Sequence, residues 1–114
     1  MIKIYHNNRC SKSRCGLEVL EKSGKPFEIV KYLEDVPKSK ELKNIIKLLG
    51  IKPIDLVRQN ESVWKEHYFK GKDLSDSDII KALVENPKLI ERPIVVNGDQ
   101  AVIGRPAEAI LDII

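Results

Sequence analysis

The sequence predicts an α/β fold in which a β-α-β unit and a β-β-α unit flank an all-helical insertion, about residues 38–90, placed between the second and third strands. Three observations point there. A β-rich opening run is followed by helix-forming residues and a second short apolar run. A helical period then governs the middle of the chain, and late in it an Asn-Gly turn separates two more apolar runs. With 114 residues there is room for one core, so 1–114 reads as one domain.

Taken in order, Ile2-Lys3-Ile4-Tyr5 reads as a strand leading into the polar loop His6-Asn7-Asn8-Arg9. Ser11 to Ser23 reads as a helix, with Leu17 and Leu20 on the face of Ser13 and a stop at Gly24-Lys25-Pro26. Phe27-Glu28-Ile29-Val30 follows as a strand, and a β-α-β unit of this length makes a parallel pair. After Pro37, the residues Leu42, Ile45, Ile46 and Leu49 fall at helical spacing and Gly50 closes the segment. Ile54, Leu56, Val57, Trp64 and Phe69 lie among charges, and Ser75 with Asp78 forms a capping-box pattern before Ile79, Ile80 and Leu83. Residues 38–86 therefore read as entirely helical. Asn86-Pro87 ends that block; Ile94-Val95-Val96 and Ala101-Val102-Ile103 then form a hairpin about Asn97-Gly98-Asp99-Gln100. Pro106 at a first helical position, with Ala107, Ile110, Leu111 and Ile114 behind it, reads as a closing helix. This order is the thioredoxin/glutaredoxin-like arrangement with an expanded middle. In that arrangement a reactive cysteine sits after the first strand, at the start of the first helix, which is where Cys10 stands.

Composition narrows the function. A chain 42% hydrophobic and 32% charged is globular, and a net charge of +3 suits a small anionic ligand without making a nucleic-acid surface. No apolar run reaches the length of a membrane span, and Met1-Ile2-Lys3-Ile4 lacks the apolar stretch of a secretory signal, so the expected location is cytoplasmic, with no membrane or nucleic-acid partner. Two cysteines are too few for a disulfide scaffold of this size and suit a reduced compartment.

The thiolate is the reactive form of cysteine, and the N–H groups at a helix start stabilise it, lowering the pKa from about 8.5 to about 3.5–7.5. Cys10 occupies such a start, with Arg9, Lys12 and Arg14 adding positive charge nearby. Cys15 is expected to pack beneath the helix, a resolving thiol being the alternative. Positions five apart in a helix lie roughly 8 to 9 Å apart, beyond the ~7 Å a disulfide spans. A Cys-x-x-Cys pair is absent, because Ser13 holds the place of its second cysteine. His6, Cys10, Cys15 and His67 match no common zinc spacing, so no metal is expected. Arg58, Arg92 and Arg105 each stand at the end of an element, and guanidinium groups grip tetrahedral oxyanions through paired hydrogen bonds. Spacing alone leaves open whether the three converge.

With Ile4-Tyr5-His6-Asn7-x-x-Cys10-Ser11-x-Ser13-Arg14, then Glu91-Arg92-Pro93-Ile94-Val95-Val96, then Gly104-Arg105-Pro106, the chain resembles the glutaredoxin-like arsenate reductases of the ArsC type over essentially its whole length. The resemblance implies a single catalytic cysteine, Cys10, that attacks arsenate to form a covalent adduct. Glutathione would serve as co-substrate, with glutaredoxin or thioredoxin as electron donor and no bound cofactor. It further implies that Arg58, Arg92 and Arg105 hold the arsenate, or a similar oxyanion. His6, Ser13 and Arg14 would support the ionised thiol, His6 being equally readable as a loop residue, and Pro93 matches the cis-proline beside the reactive sulfur. Cys15 departs from the polar residue usual there. Two other functions remain: a related thiol-dependent reductase with a different substrate, and an Spx-type regulator that binds RNA polymerase. Ser13 argues against the second, whose switch is a Cys-x-x-Cys pair.

Overall fold

A computed structural model of the chain describes residues 2–67 and 74–114. Its contacts gather into two compact units, Met1–Asp35 with Arg92–Ile114, and Val36–Glu91. Among the described residues no helix is long and apolar enough to cross a membrane.

The first unit holds a four-stranded sheet ordered β2-β1-β3-β4, where β1 is Ile2–Tyr5, β2 Phe27–Val30, β3 Ile94–Asn97 and β4 Gln100–Ile103. β1 pairs with β2 in parallel, as a crossover helix requires, and β1–β3 and β3–β4 are antiparallel. Together with helix α1, Ser11–Ser23, this is the expected thioredoxin-like arrangement. Helix α1 ends where the sequence indicates, because Gly24 takes the left-handed conformation (φ 72°) in which its N–H reaches the Glu21 carbonyl. Ile2 and Ile4 of β1, Leu20 of α1, Val95 of β3 and Ile110 form the core of this unit, with Leu17, Phe27 and Val102 packed on its margin.

The hairpin turn is centred on Gly98-Asp99 rather than on Asn97-Gly98. Asn97 pairs with Gln100 as the last rung of the ladder, and Gly98 supplies the positive φ (63°) at the first central position. The Asn97 side chain bonds elsewhere, Nδ2 donating to the Ile113 carbonyl at 2.7 Å. The closing element also differs from expectation. Ala107–Asp112 is a 3₁₀ helix, and Pro106 lies just outside it, in extended conformation, as the N-cap. The segment is tied near both ends, by the Gly104 N–H to the Pro93 carbonyl and by Asn97 to Ile113. A 3₁₀ helix climbs about 2.0 Å per residue against about 1.5 Å for an α-helix, so it spans such a fixed interval in fewer residues.

The second unit contains helices α2, Ser39–Leu49, α3, Ser62–His67, and α4, Asp76–Glu85. Ser75 and Asp78 form the expected reciprocal cap on α4, at 3.2 and 3.1 Å. The unit is not uniformly helical. Pro53–Leu56 and Pro87–Leu89 are 3₁₀ turns begun by proline, and the segments that follow them meet in an antiparallel bridge, Val57 to Ile90. Arg58 N–H donates to the Leu89 carbonyl at 2.7 Å and Glu91 N–H to that of Leu56 at 2.9 Å, which satisfies backbone that no helix serves. Phe69 and the helical reading of 68–73 lie outside the described residues.

Leu20 is fully buried between α1 and the sheet. Leu20→Ala should therefore cost about 2–5 kcal/mol in urea unfolding, the usual range for a leucine removed from a core; a loss below about 1 kcal/mol would mean the helix does not close that core.

Candidate functional site

The sheet register sets the site. Tyr5, the last residue of β1, pairs with Ile94, the first of β3, and Ile94 pairs with Ile103, the last of β4. The loop after β1, the approach to β3 and the exit from β4 therefore share one end of the sheet, and they carry Cys10, Arg92 and Arg105 respectively.

Cys10 is the N-cap of α1, half-buried and reduced, and its backbone carbonyl accepts the first helical N–H, from Arg14, at 3.0 Å. No acidic residue occupies the first turn to compete with a negative sulfur. Arg92 Nε donates to Cys10 Sγ at 3.1 Å, across 82 positions of sequence. Burial pushes the Cys10 thiol up, but the Ser13 N–H, the Arg92 side chain and the Lys12 N–H outweigh it and hold the pKa below the ordinary cysteine value. The sulfur makes no regular capping hydrogen bond, so these N–H groups act on it as oriented dipoles.

Of the cations near Cys10 in sequence, Arg14 turns Nη1 to the Asn8 carbonyl at 2.9 Å. The guanidinium that reaches the sulfur is instead Arg92, singled out from sequence as an oxyanion ligand.

His6 and Ser13 are the buried polar pair beneath the loop. Ser13 Oγ accepts the Asn7 N–H at 2.9 Å and lies 2.7 Å from His6 Nδ1. Burial disfavours the charged ring and lowers the His6 pKa despite opposing hydrogen bonds to Asn8 and Ser13. Asn7 completes the loop, its carbonyl accepting from Cys10 N–H at 3.1 Å and its Oδ1 from Arg9 N–H at 3.0 Å. The sequence motif includes Asn7 without giving it a role; an asparagine followed within a few residues by a helix start is the signal that marks one.

Arg105 follows β4, its N–H on the Ile103 carbonyl at 2.8 Å, and lines a cavity of about 460 Å³ with Lys12, Cys15 and Glu108. Cys15 is exposed, contrary to the expectation that it packs beneath the helix. The buried stripe of α1 runs through Ser13, Gly16 and Leu20, and position 15 is turned away from it. Arg58 belongs to the second unit. There its Nη2 pairs with Glu61 at 3.0 Å and its Nη1 donates to the Lys88 carbonyl at 3.2 Å. The Arg92–Pro93 peptide is cis, and so is Arg105–Pro106.

A thiol depressed in pKa, touched by a guanidinium and set at a helix start is equipped to attack an electrophilic centre that carries negative oxygens. A family model described as the ArsC family matches residues 5–113. An uncharacterized protein of Escherichia coli, YfgD, is 46% identical over 114 residues, which cover 99% of this chain and 96% of that one. An arsenate reductase of Haemophilus influenzae is 44% identical over 112 residues, 97% of each chain. A solved structure, an arsenate reductase from Vibrio cholerae, superposes with a TM-score of 0.94 at 44% identity, covering 99% of this chain and 97% of its own.

Two outcomes test the electrostatics. The iodoacetamide alkylation of Cys10, followed site by site by mass spectrometry, should titrate with a midpoint below about 8.5; a midpoint at or above that value would contradict an activated thiolate. For His6, the unfolded chain binds a proton that the folded chain resists. Its contribution to stability is therefore complete above about pH 6.5 and declines as pH falls below it. Thermal stability should fall less steeply between about pH 7 and pH 5.5 in His6→Gln than in the unaltered chain; parallel slopes would mean the ring titrates alike in both states.

Proposed function

The chain belongs to the ArsC family, and on that premise we propose that it is an arsenate reductase working through the single nucleophile Cys10. The observation that carries this reading is the Arg92 Nε contact to Cys10 Sγ at the start of α1. The thiolate sulfur forms a bond to arsenic(V) while one arsenic–oxygen bond breaks, the oxygen leaving as water. Arg92 and Arg105, at one end of the sheet, neutralise the oxyanion and the adduct; Arg58 takes part on the strength of the family resemblance. His6 and Ser13 hold the loop and helix start around the sulfur, Arg14 fastens the loop through Asn8, and Pro93 seats the strand beside it. A second thiol, glutathione, attacks the adduct, and glutaredoxin or thioredoxin resolves the resulting disulfide. In sum arsenate gains two electrons and becomes arsenite, two thiols lose them and form a disulfide, and one water is released.

The deciding assay is arsenite formation by the purified protein, with glutathione plus glutaredoxin and separately with thioredoxin. Arsenite should appear with at least one donor system and vanish in Cys10→Ser, whereas Cys15→Ser should retain most of the activity. Equal loss in both variants would make Cys15 a resolving thiol and end the single-cysteine reading. If no arsenite forms with either donor, the substrate assignment fails.

Oxyanion binding is read separately. Arsenate, sulfate or phosphate should protect Cys10 from alkylation, and replacing Arg92 or Arg105 by glutamine should weaken protection by about 1.5–3 kcal/mol each, the size of a hydrogen bond to a charged group. The same assay on Arg58→Gln tests the third arginine. Unchanged protection in all three variants would show that the arginines do not hold the anion.

A further inference from the structure

The Arg92 contact depends on where the neighbouring residue, Pro93, is seated. A Cβ placed on Gly16, midway along α1, would lie 2.7 Å from Pro93 Cγ, 3.4 Å from Pro93 Cβ and 3.2 Å from Ile110 Cδ1. One placed on Gly104, immediately before Arg105, would lie 3.0 Å from both Pro93 Cγ and Ile110 Cδ1. Gly104 also donates its N–H to the Pro93 carbonyl at 2.8 Å. Neither glycine has the positive φ that would require glycine for backbone reasons, a property confined among the described glycines to Gly24, Gly50 and Gly98. What Gly16 and Gly104 supply is room.

We propose that Gly16 and Gly104 are positioning residues for the reactive thiol: the space they leave admits the Pro93 ring, and the seated ring fixes Arg92 against Cys10 and the departure of Arg105 from the sheet. The proline ring has almost no internal freedom with which to absorb a push, so a methyl group on either glycine moves the ring, Ile110, or both. Motion of the ring is passed through one peptide to Arg92. A hydrogen bond to sulfur weakens with distance and angle, so a displacement of a few tenths of an ångström is felt at the thiolate. The long Arg92 side chain follows part of any such movement, which makes the expected effect graded. Gly104 has a second lever, because Arg105 is its chain neighbour. The groups that act on the sulfur are the Ser13 and Lys12 N–H dipoles and Arg92, and among them only Arg92 is carried by the proline.

This inference rests on Cys10 being the reactive thiol and not on arsenate being the substrate, so alkylation is read first. In Gly104→Ala the Cys10 alkylation midpoint should rise by at least about half a pH unit, a threefold change in acidity. Gly16→Ala, pressing on the same ring from α1, should shift it in the same direction. Gly24→Ala is the control: it strains the left-handed end of the same helix yet its new methyl group meets nothing within 4 Å, so it lowers thermal stability without moving the midpoint. The glycine effect should also disappear in an Arg92→Gln background, since the lever then carries nothing to the sulfur. Midpoints in both glycine variants that move no more than in Gly24→Ala would overturn the proposal. So would an undiminished shift in the Arg92→Gln background, or failure of both glycine variants to fold, which would make the glycines determinants of folding alone. A shifted midpoint in a protein that forms no arsenite would uphold the positioning role and remove only the substrate assignment.

Discussion

A thiolate partly withdrawn from water has to be compensated by charge or dipoles, and in this chain the compensation comes from two directions. The helix start supplies backbone N–H groups from Lys12 and Ser13, and the sheet delivers the Arg92 guanidinium to 3.1 Å from the sulfur. Without these, burial alone would raise the Cys10 pKa and disfavour the ionised sulfur. The antiparallel pairing of Tyr5 with Ile94 makes the second source possible, because it turns the approach to β3 toward the loop that leaves β1. The sheet is thus a device for bringing residue 92 beside residue 10.

The loop between β1 and α1 is held by hydrogen bonds among its polar groups. His6 and Ser13 are buried side by side, and the Ser13 hydroxyl joins the imidazole to the Asn7 backbone. Each such group, buried without a partner, would cost about 1–3 kcal/mol, so the three partners favour one loop conformation over its alternatives. Arg14, fastened to the Asn8 carbonyl, closes the same loop from the helix side. Of these hydrogen bonds, the one between His6 and Ser13 satisfies groups the fold has already taken out of water.

Local signals carried much of the fold. Leu17 and Leu20 on the face of Ser13, the left-handed Gly24, and the Ser75–Asp78 box all express interactions within a few residues, and a sequence displays those directly. The elements that differ from the sequence expectation are the ones set by distant contacts. The segment after Pro106 winds as a 3₁₀ helix between ties to Pro93 and Asn97, and the segments near Val57 and Ile90 pair across more than thirty residues. The sequence suggests Cys15 beneath the helix, whereas the buried stripe of α1 passes it by and leaves the thiol lining a cavity with Arg105 and Lys12.

The thioredoxin-like order of elements, the place of Cys10 at a helix start and the presence of arginines at element ends are all legible in the residues alone. These follow from periodicity, capping and turn chemistry, which act over neighbouring residues. The tertiary structure decided which arginine meets the sulfur, that the histidine ring is buried on a serine hydroxyl, and that Pro93 is seated against Gly16 and Gly104. Those outcomes depend on sheet register and on gaps a fraction of an ångström wide, set where segments remote in sequence are forced into contact, and no local pattern of residues encodes such a distance.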